Sequence, residues 1–180
     1  MSYYTFGWEF PFLNFIQEHM RSDFADSFFV FITSLGNRAS VWLLIIIALL
    51  FFKKTRKYAI YTLICYFSIK ILGDYILKPF FNRARPFQIN ESINLIINKP
   101  KSPSFPSGHS MQSFACATAI YLCNKKLGIP CLILAFLIAF SRLYLYVHFP
   151  TDVLGGIFIG ASISIILYSI LKKPLKLNQT

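Results

Sequence analysis

Six apolar runs separated by short basic connections constrain this chain more than any other feature. They cover residues 24–35, 40–52, 58–77, 107–123, 127–147 and 153–171. A membrane-crossing helix needs roughly 20 apolar residues. Several of these cores are shorter, so their flanks must supply the rest. The run at 24–35 carries Asp26, and the run at 58–77 carries Lys70 and Asp74. Only 14% of the chain is charged and 56% is hydrophobic. Soluble domains have about 25% charge and about 45–50% apolar residues, so a soluble globular class is excluded. The same apolarity excludes a disordered chain. Twenty Phe and ten Tyr suit a lipid-facing surface with aromatic belts. The expected fold is all-α: a polytopic membrane helical bundle of about six transmembrane helices, forming one domain over residues 1–180. Residues 8–20 mix aromatics with Glu9, Gln17, Glu18 and His19, with Pro11 suited to a first helical turn. They are expected to form an N-terminal amphipathic helix lying in the interface. The start of the chain lacks the basic stretch and small-residue cleavage site of a signal peptide, so the mature chain is expected to begin at Met1.

Net charge is +11, from 18 Lys+Arg against 7 Asp+Glu. In a soluble protein this would raise nucleic acid as a partner; here the cations fall between apolar runs, so no nucleic-acid partner is expected. Lys53, Lys54, Arg56 and Lys57 follow the second run. Lys125 and Lys126 follow the fourth, and Lys172, Lys173 and Lys176 follow the sixth. With six crossings these regions share one face, and the positive-inside rule makes that face cytoplasmic. Both termini are then expected on it, although the N-terminus is not basic. Cys65, Cys116, Cys123 and Cys131 all lie in apolar runs without metal-ligand spacing and read as packing residues. Gly156 and Gly160 form a G-x-x-x-G, which reads as close helix packing. The one long connection, residues 80–105, carries Pro86, Pro100 and Pro103.

A second set of charges is not explained by topology. Lys78, Arg83 and Arg85 follow the third run, His109 opens the fourth, and Arg142, His148 and Asp152 bracket the fifth and sixth. With six crossings all fall at the face opposite the basic connections. Cations near apolar segment ends are costly unless water or an anion meets them. Arg presents a planar fork to phosphate oxygens and Lys a point charge. Ser107 can cap a helix whose first N–H groups hold phosphate, and Gly108 permits close approach. Two histidines supply a nucleophile and a proton donor. Asp152, four residues after His148, can reach a ring nitrogen and fix its tautomer. No Asp/Glu cluster suits Mg²⁺, so no metal and no cofactor are expected.

These residues fall into three motifs. Lys78 to Pro86 reads K-x6-R-P, Pro106 to His109 reads P-S-G-H, and Ser141 to Asp152 reads S-R-x5-H-x3-D. In order and at segment ends, they resemble the signature of the type 2 phosphatidic acid phosphatase (PAP2) family of membrane lipid phosphate phosphatases. The motifs span residues 78–152, and the helical layout extends the resemblance over most of the chain. It implies a metal-independent phosphomonoesterase or diphosphatase working through a phosphohistidine. It implies His148 as nucleophile, Asp152 as its orienting partner and His109 as proton donor to the leaving group. Lys78, Arg85, Ser107, Gly108 and Arg142 are then expected to hold the phosphoryl oxygens. Arg83 lies outside the strict signature and is read either as touching a second phosphate or as facing lipid headgroups. Asp74 reads as neutralising Lys70 and Lys78.

The expected function is a lipid phosphate phosphatase of a bacterial cytoplasmic membrane, with its site on the outer face and no obligate protein partner. Undecaprenyl diphosphate, phosphatidylglycerol phosphate and phosphatidate remain open as substrates, and phosphotransfer is a variant. The alternative is a non-enzymatic anion or lipid transporter with the same basic rim, which explains the cations but does not require two histidines or Asp152. A soluble vanadium-dependent haloperoxidase shares the family's anion site, but the apolar runs argue against it.

Overall fold

The structure is a computed structural model that describes residues 2–177. Helix α1 (Glu9–His19) is followed by α2 (Asp23–Gly36), started by Ser22, whose hydroxyl accepts from Ala25 N. Arg38 and Ala39 both take left-handed backbone conformations (φ 51° and 57°) and break the helix. That region is disfavoured for residues carrying a Cβ. Helix α3 (Ser40–Phe51) follows, then α4 (Arg56–Ile71), which runs through a π-helical turn, Leu72–Leu77, into α5 (Lys78–Phe81). After the short α6 (Pro86–Ile89) come α7 (Gly108–Cys123), α8 (Lys125–Tyr144) and α9 (Pro150–Leu171). No strand occurs among the described residues.

The bundle is centred on α7, which is flanked by α9, α8 and α4. Its contact with α9 is close because α9 offers glycine there. A Cβ at Gly156 would lie 2.8 Å from Ser107 O, and one at Gly160 would lie 2.3 Å from Met111 O. Ser164 extends the seam by donating to Ala115 O (2.8 Å). Large residues fill the other side of α7, where Trp42 donates to Ser113 Oγ (2.9 Å). Among the described residues, four helical stretches are long and apolar enough to cross a membrane: Asp23–Phe51, Arg56–Phe81, Lys125–Tyr144 and Pro150–Leu171. Helix α7 has 16 residues, about 24 Å at 1.5 Å per residue.

The path through α2 and α3 departs from the expectation of two crossings. Asp26 accepts from Tyr144 OH at the end of α8 (2.5 Å), and Gly36 lies against His109 and Ile138. Trp42 then reaches Ser113, one turn further along α7, and after α3 Lys57 donates to Lys176 O (2.6 Å). These contacts describe one broken descent from one end of the bundle to the other. The two ends of the described chain accordingly lie at opposite ends of the bundle. Ser2 pairs with the 82–84 segment, with Ser2 N donating to Asn82 O (2.8 Å) and Ala84 N to Ser2 O (2.9 Å). Leu177 is buried at the opposite end beside Tyr58 and Tyr61. The physical cause is the double left-handed kink, which offsets α3 from α2 without reversing the chain.

Helix α1 has one face packed and the other exposed. Leu13 and Ile16 are buried against the 143–149 segment, while Trp8, Phe12 and Phe15 are exposed. Glu9 is fully buried.

Candidate active site

The ends of α2, α5, α7 and α8 converge with the 82–107 connection and His148, just before α9, on a cavity of about 880 Å³. Lys78, Arg85, Gly108, His109, Arg142 and His148 line it. Each arrives by a local rule. Ser107 caps α7, its hydroxyl accepting from Ser110 N (3.4 Å) and Ser110 Oγ (2.9 Å), so the first turn of α7 faces the cavity at Gly108. A Cβ at Gly108 would lie 3.3 Å from Lys78 Nζ. Ser107 itself is fully buried; its side chain serves the cap and does not line the cavity.

His148 is 2% exposed, and its two ring nitrogens meet different neighbours. Nδ1 faces Asp152 Oδ2 (3.5 Å) and Ser104 Oγ (3.4 Å). Nε2 faces Arg85 Nη1 (3.2 Å). A guanidinium only donates, so Nε2 carries the lone pair and Nδ1 the proton. This tautomer follows from the network rather than from observed hydrogens. Burial pushes the His148 imidazolium well below the ordinary histidine range, and the positive charges of Arg85, Arg142 and Lys78 add to the effect. This environment favours the neutral ring, with its lone pair on Nε2. Asp152 is fully held: Oδ2 accepts from Ser104 Oγ (2.5 Å) and Phe149 N (2.8 Å), and Oδ1 accepts from Arg83 Nη1 (2.5 Å).

Arg85 is fixed on backbone carbonyls. Nε donates to Ser102 O (2.8 Å) and Nη1 to Val147 O (2.8 Å). Burial lowers its guanidinium to about 10, with Asp152 pulling it back up, so it stays charged at neutral pH. Arg142 Nη1 donates to Thr33 Oγ1, while its buried Nε has no partner among the described residues. Lys78 Nζ bonds Asp74 Oδ1 (3.1 Å), whose other oxygen takes Lys70 Nζ (3.0 Å). Asp74 thus joins the two lysines, as the i, i+4 spacing suggested. His109 Nε2 lies 3.1 Å from Asn37 Oδ1, contributed by the α2–α3 break.

Arg83 occupies neither of its expected places. It is 1% exposed and does not line the cavity. It is held by Asp152 and Glu9 and packed between the rings of Tyr4 and Phe149, because two buried carboxylates need a buried cation between them. Sequence reasoning missed Asn37, Thr33, Ser104 and Glu9 as participants. No group of three or more His, Cys, Asp and Glu among the described residues is placed to hold a metal ion.

A multi-pass helical bundle with a histidine pair in a cationic cavity is the class of protein these features define. The chain belongs to the PAP2 superfamily, whose family model matches residues 54–176. It is 37% identical over 136 residues to an undecaprenyl-diphosphatase of Sulfolobus acidocaldarius, a match covering 75% of this chain and 65% of that relative, just under two thirds of its length. Among solved structures it resembles LpxE of Aquifex aeolicus (TM-score 0.81, 30% identity, 94% of this chain and 99% of that one). It also resembles the transmembrane PAP2-type phosphatidylglycerolphosphate phosphatase of Bacillus subtilis (TM-score 0.73, 25% identity, 91% of this chain and 85% of that one).

Proposed function

We propose that this chain is a membrane lipid phosphate phosphatase acting through a phosphohistidine, with no metal. One observation carries the reading: a buried neutral His148, tautomerically fixed by Asp152, presents Nε2 to a cavity lined by Lys78, Arg85 and Arg142. In this reading the three cations and the first N–H groups of α7 hold the phosphoryl oxygens. Nε2 attacks phosphorus in line with the departing oxygen. The ring keeps its Nδ1 proton and gains a positive charge that Asp152 stabilises. His109, set by Asn37, gives its proton to the leaving group. Water then attacks the phosphorylated ring, with His109 now taking a proton.

The substrate is a phosphomonoester or diphosphate of a membrane lipid: undecaprenyl diphosphate, phosphatidylglycerol phosphate or phosphatidate. The names of the relatives favour the first two. The basic connections support a Lys53–Lys57 end in the cytoplasm and a site on the outer face of the cytoplasmic membrane. The broken α2–α3 descent supports five crossings rather than six, with the N-terminus outside and the C-terminus inside. The exposed aromatic face of α1 lies in the outer interface.

Purified protein assayed for phosphate release against the three lipids tests this. Release from at least one, surviving EDTA and blocked by vanadate, is expected. Activity lost on chelation and restored by Mg²⁺ would overturn the metal-free mechanism. Binding of all three lipids without release would instead favour a transporter.

A further inference from the structure

The N-terminal segment reaches further into the site than the signature motifs indicate. Residues 2–9 strap the 82–84 backbone, and the strap ends in Glu9, which is 0% exposed. Glu9 Oε2 accepts from Arg83 Nη2 (2.6 Å) and Phe6 N (2.8 Å), and Oε1 accepts from Thr151 Oγ1 (2.5 Å). Arg83 passes the contact on: Nη1 donates to Thr151 Oγ1 (2.8 Å) and Asp152 Oδ1 (2.5 Å), and Nε to Tyr4 O (3.2 Å). Every nitrogen of Arg83 is thus committed to the strap or to the start of α9. Asp152 Oδ2, in turn, faces His148 Nδ1.

We propose that Glu9 is a positioning residue for His148, acting through Arg83 and Asp152, so that the N-terminal strap completes the site. The physical argument is charge balance in a buried place. Arg83 beside Asp152 alone would form a neutral pair and leave little negative charge for the His148 ring. Glu9 restores a net charge of −1 to the Glu9–Arg83–Asp152 triplet. That charge is needed when Nε2 bonds phosphorus, the P–O bond to the leaving group breaks, and the ring becomes cationic. The other groups around the ring cannot supply it: Arg85 from the connection, Arg142 from α8 and Lys78 from α5 are cations. His109 from α7 and Ser104 bring no negative charge. Among the described residues, Glu9 is hydrogen-bonded to Arg83, Thr151 and the strap backbone alone. It touches no group that lines the cavity, so its influence falls on the reacting ring and not on phosphate binding.

The inference rests on the proposed phosphatase reading, and the test separates the two. Full-length wild type, Glu9→Gln, Glu9→Asp and the charge-balanced Glu9→Gln/Arg83→Met are purified in detergent and assayed on the lipid the wild type hydrolyses. A hydrogen bond to a charged group is worth roughly 10–100-fold in rate. Glu9→Gln is expected to lower kcat by about that factor with KM within about twofold. Removing a negative charge disfavours the imidazolium, so the acid limb of kcat/KM should move to lower pH, by about half a unit or more. Glu9→Asp keeps the charge and should keep the wild-type limb. The double variant restores −1 on Asp152 and should return the limb toward wild type even if kcat stays low. A kcat loss with an unmoved limb, or loss of the folded state in both Gln variants, would make Glu9 a structural ion-pair partner and overturn the inference. A wild type that hydrolyses none of the lipids overturns the phosphatase reading and this inference with it. An active wild type with an unchanged Glu9→Gln overturns this inference alone.

Discussion

At His148 the two ring nitrogens have opposite surroundings, and that asymmetry orders the proposed chemistry. Substitution should separate the two histidines. His148→Ala is expected to form no covalent intermediate and to show essentially no turnover. His109→Ala should lose about 10²–10⁴-fold on lipid substrates, the usual contribution of a positioned general acid. It should still be phosphorylated by an aryl phosphate, whose leaving group needs little protonation. Quenching with labelled substrate and locating acid-labile phosphate checks this; label on His109 would reverse the roles. The pH profile follows from burial. A depressed His148 stays neutral, hence nucleophilic, as pH falls, so kcat/KM should hold below the ordinary histidine value of about 6.5. An acid limb at or above that value would contradict the assignment. The arginines are predicted to be irreplaceable by lysine. Arg85 spends Nε and Nη1 on carbonyls 2.8 Å away, geometry that an ammonium cannot reproduce. Arg85→Lys and Arg142→Lys should each lower kcat/KM by roughly 10–100-fold, the worth of one charged hydrogen bond. Near-normal steady-state kinetics would demote that arginine.

At the scale of elements, the seam between α7 and α9 sets the site's geometry, because His109 and Asp152 sit on its two helices. Gly160 has Met111 O where a Cβ would go, whereas Gly7 has nothing within 4 Å. Gly160→Ala must push the helices apart, and overpacking of this kind costs about 1–3 kcal/mol. The melting temperature in detergent should fall by roughly 2–12 °C, while Gly7→Ala leaves it unchanged. Equal melting of both variants would show that the seam tolerates separation. The G-x-x-x-G was legible as a packing motif. Its partner on α7 was not, since spacing names a small face without naming the helix it meets.

For the whole molecule, the decisive feature is that the strap and the C-terminal tail occupy opposite ends. Single cysteines at Thr5 and Lys101 should react with an impermeant thiol reagent in intact cells. Cysteines at Lys54 and Lys173 should react only after lysis. Cys65, Cys116 and Cys123 are buried and Cys131 is partly buried, so background labelling should be low. Labelling at Thr5 only after lysis would restore an even number of crossings. The basic connections 53–57 and 172–176 do meet at one end, through Lys57 and Lys176. The non-basic N-terminus had no place in a scheme that put it there too, and it fits the opposite end.

By itself the sequence determined the helical membrane class, through apolar runs and scarce charge. It also determined the cationic histidine site, because Lys78, Arg85, His109, Arg142, His148 and Asp152 lie at segment ends in ordered motifs that local spacing makes readable. The tertiary structure alone decided what supports them. Asn37 beside His109, Thr33 beside Arg142, Ser104 beside Asp152 and Glu9 beside Arg83 come from segments 48 to 109 residues away. No periodicity records such a pairing. It arises when burial forces each polar group to find a partner, and that partner is fixed by how the helices pack. The path from α2 to α3 was decided in the same way. Two apolar runs look alike whether the chain reverses between them or only kinks, and the left-handed Arg38 and Ala39 that make it kink carry no glycine to announce themselves.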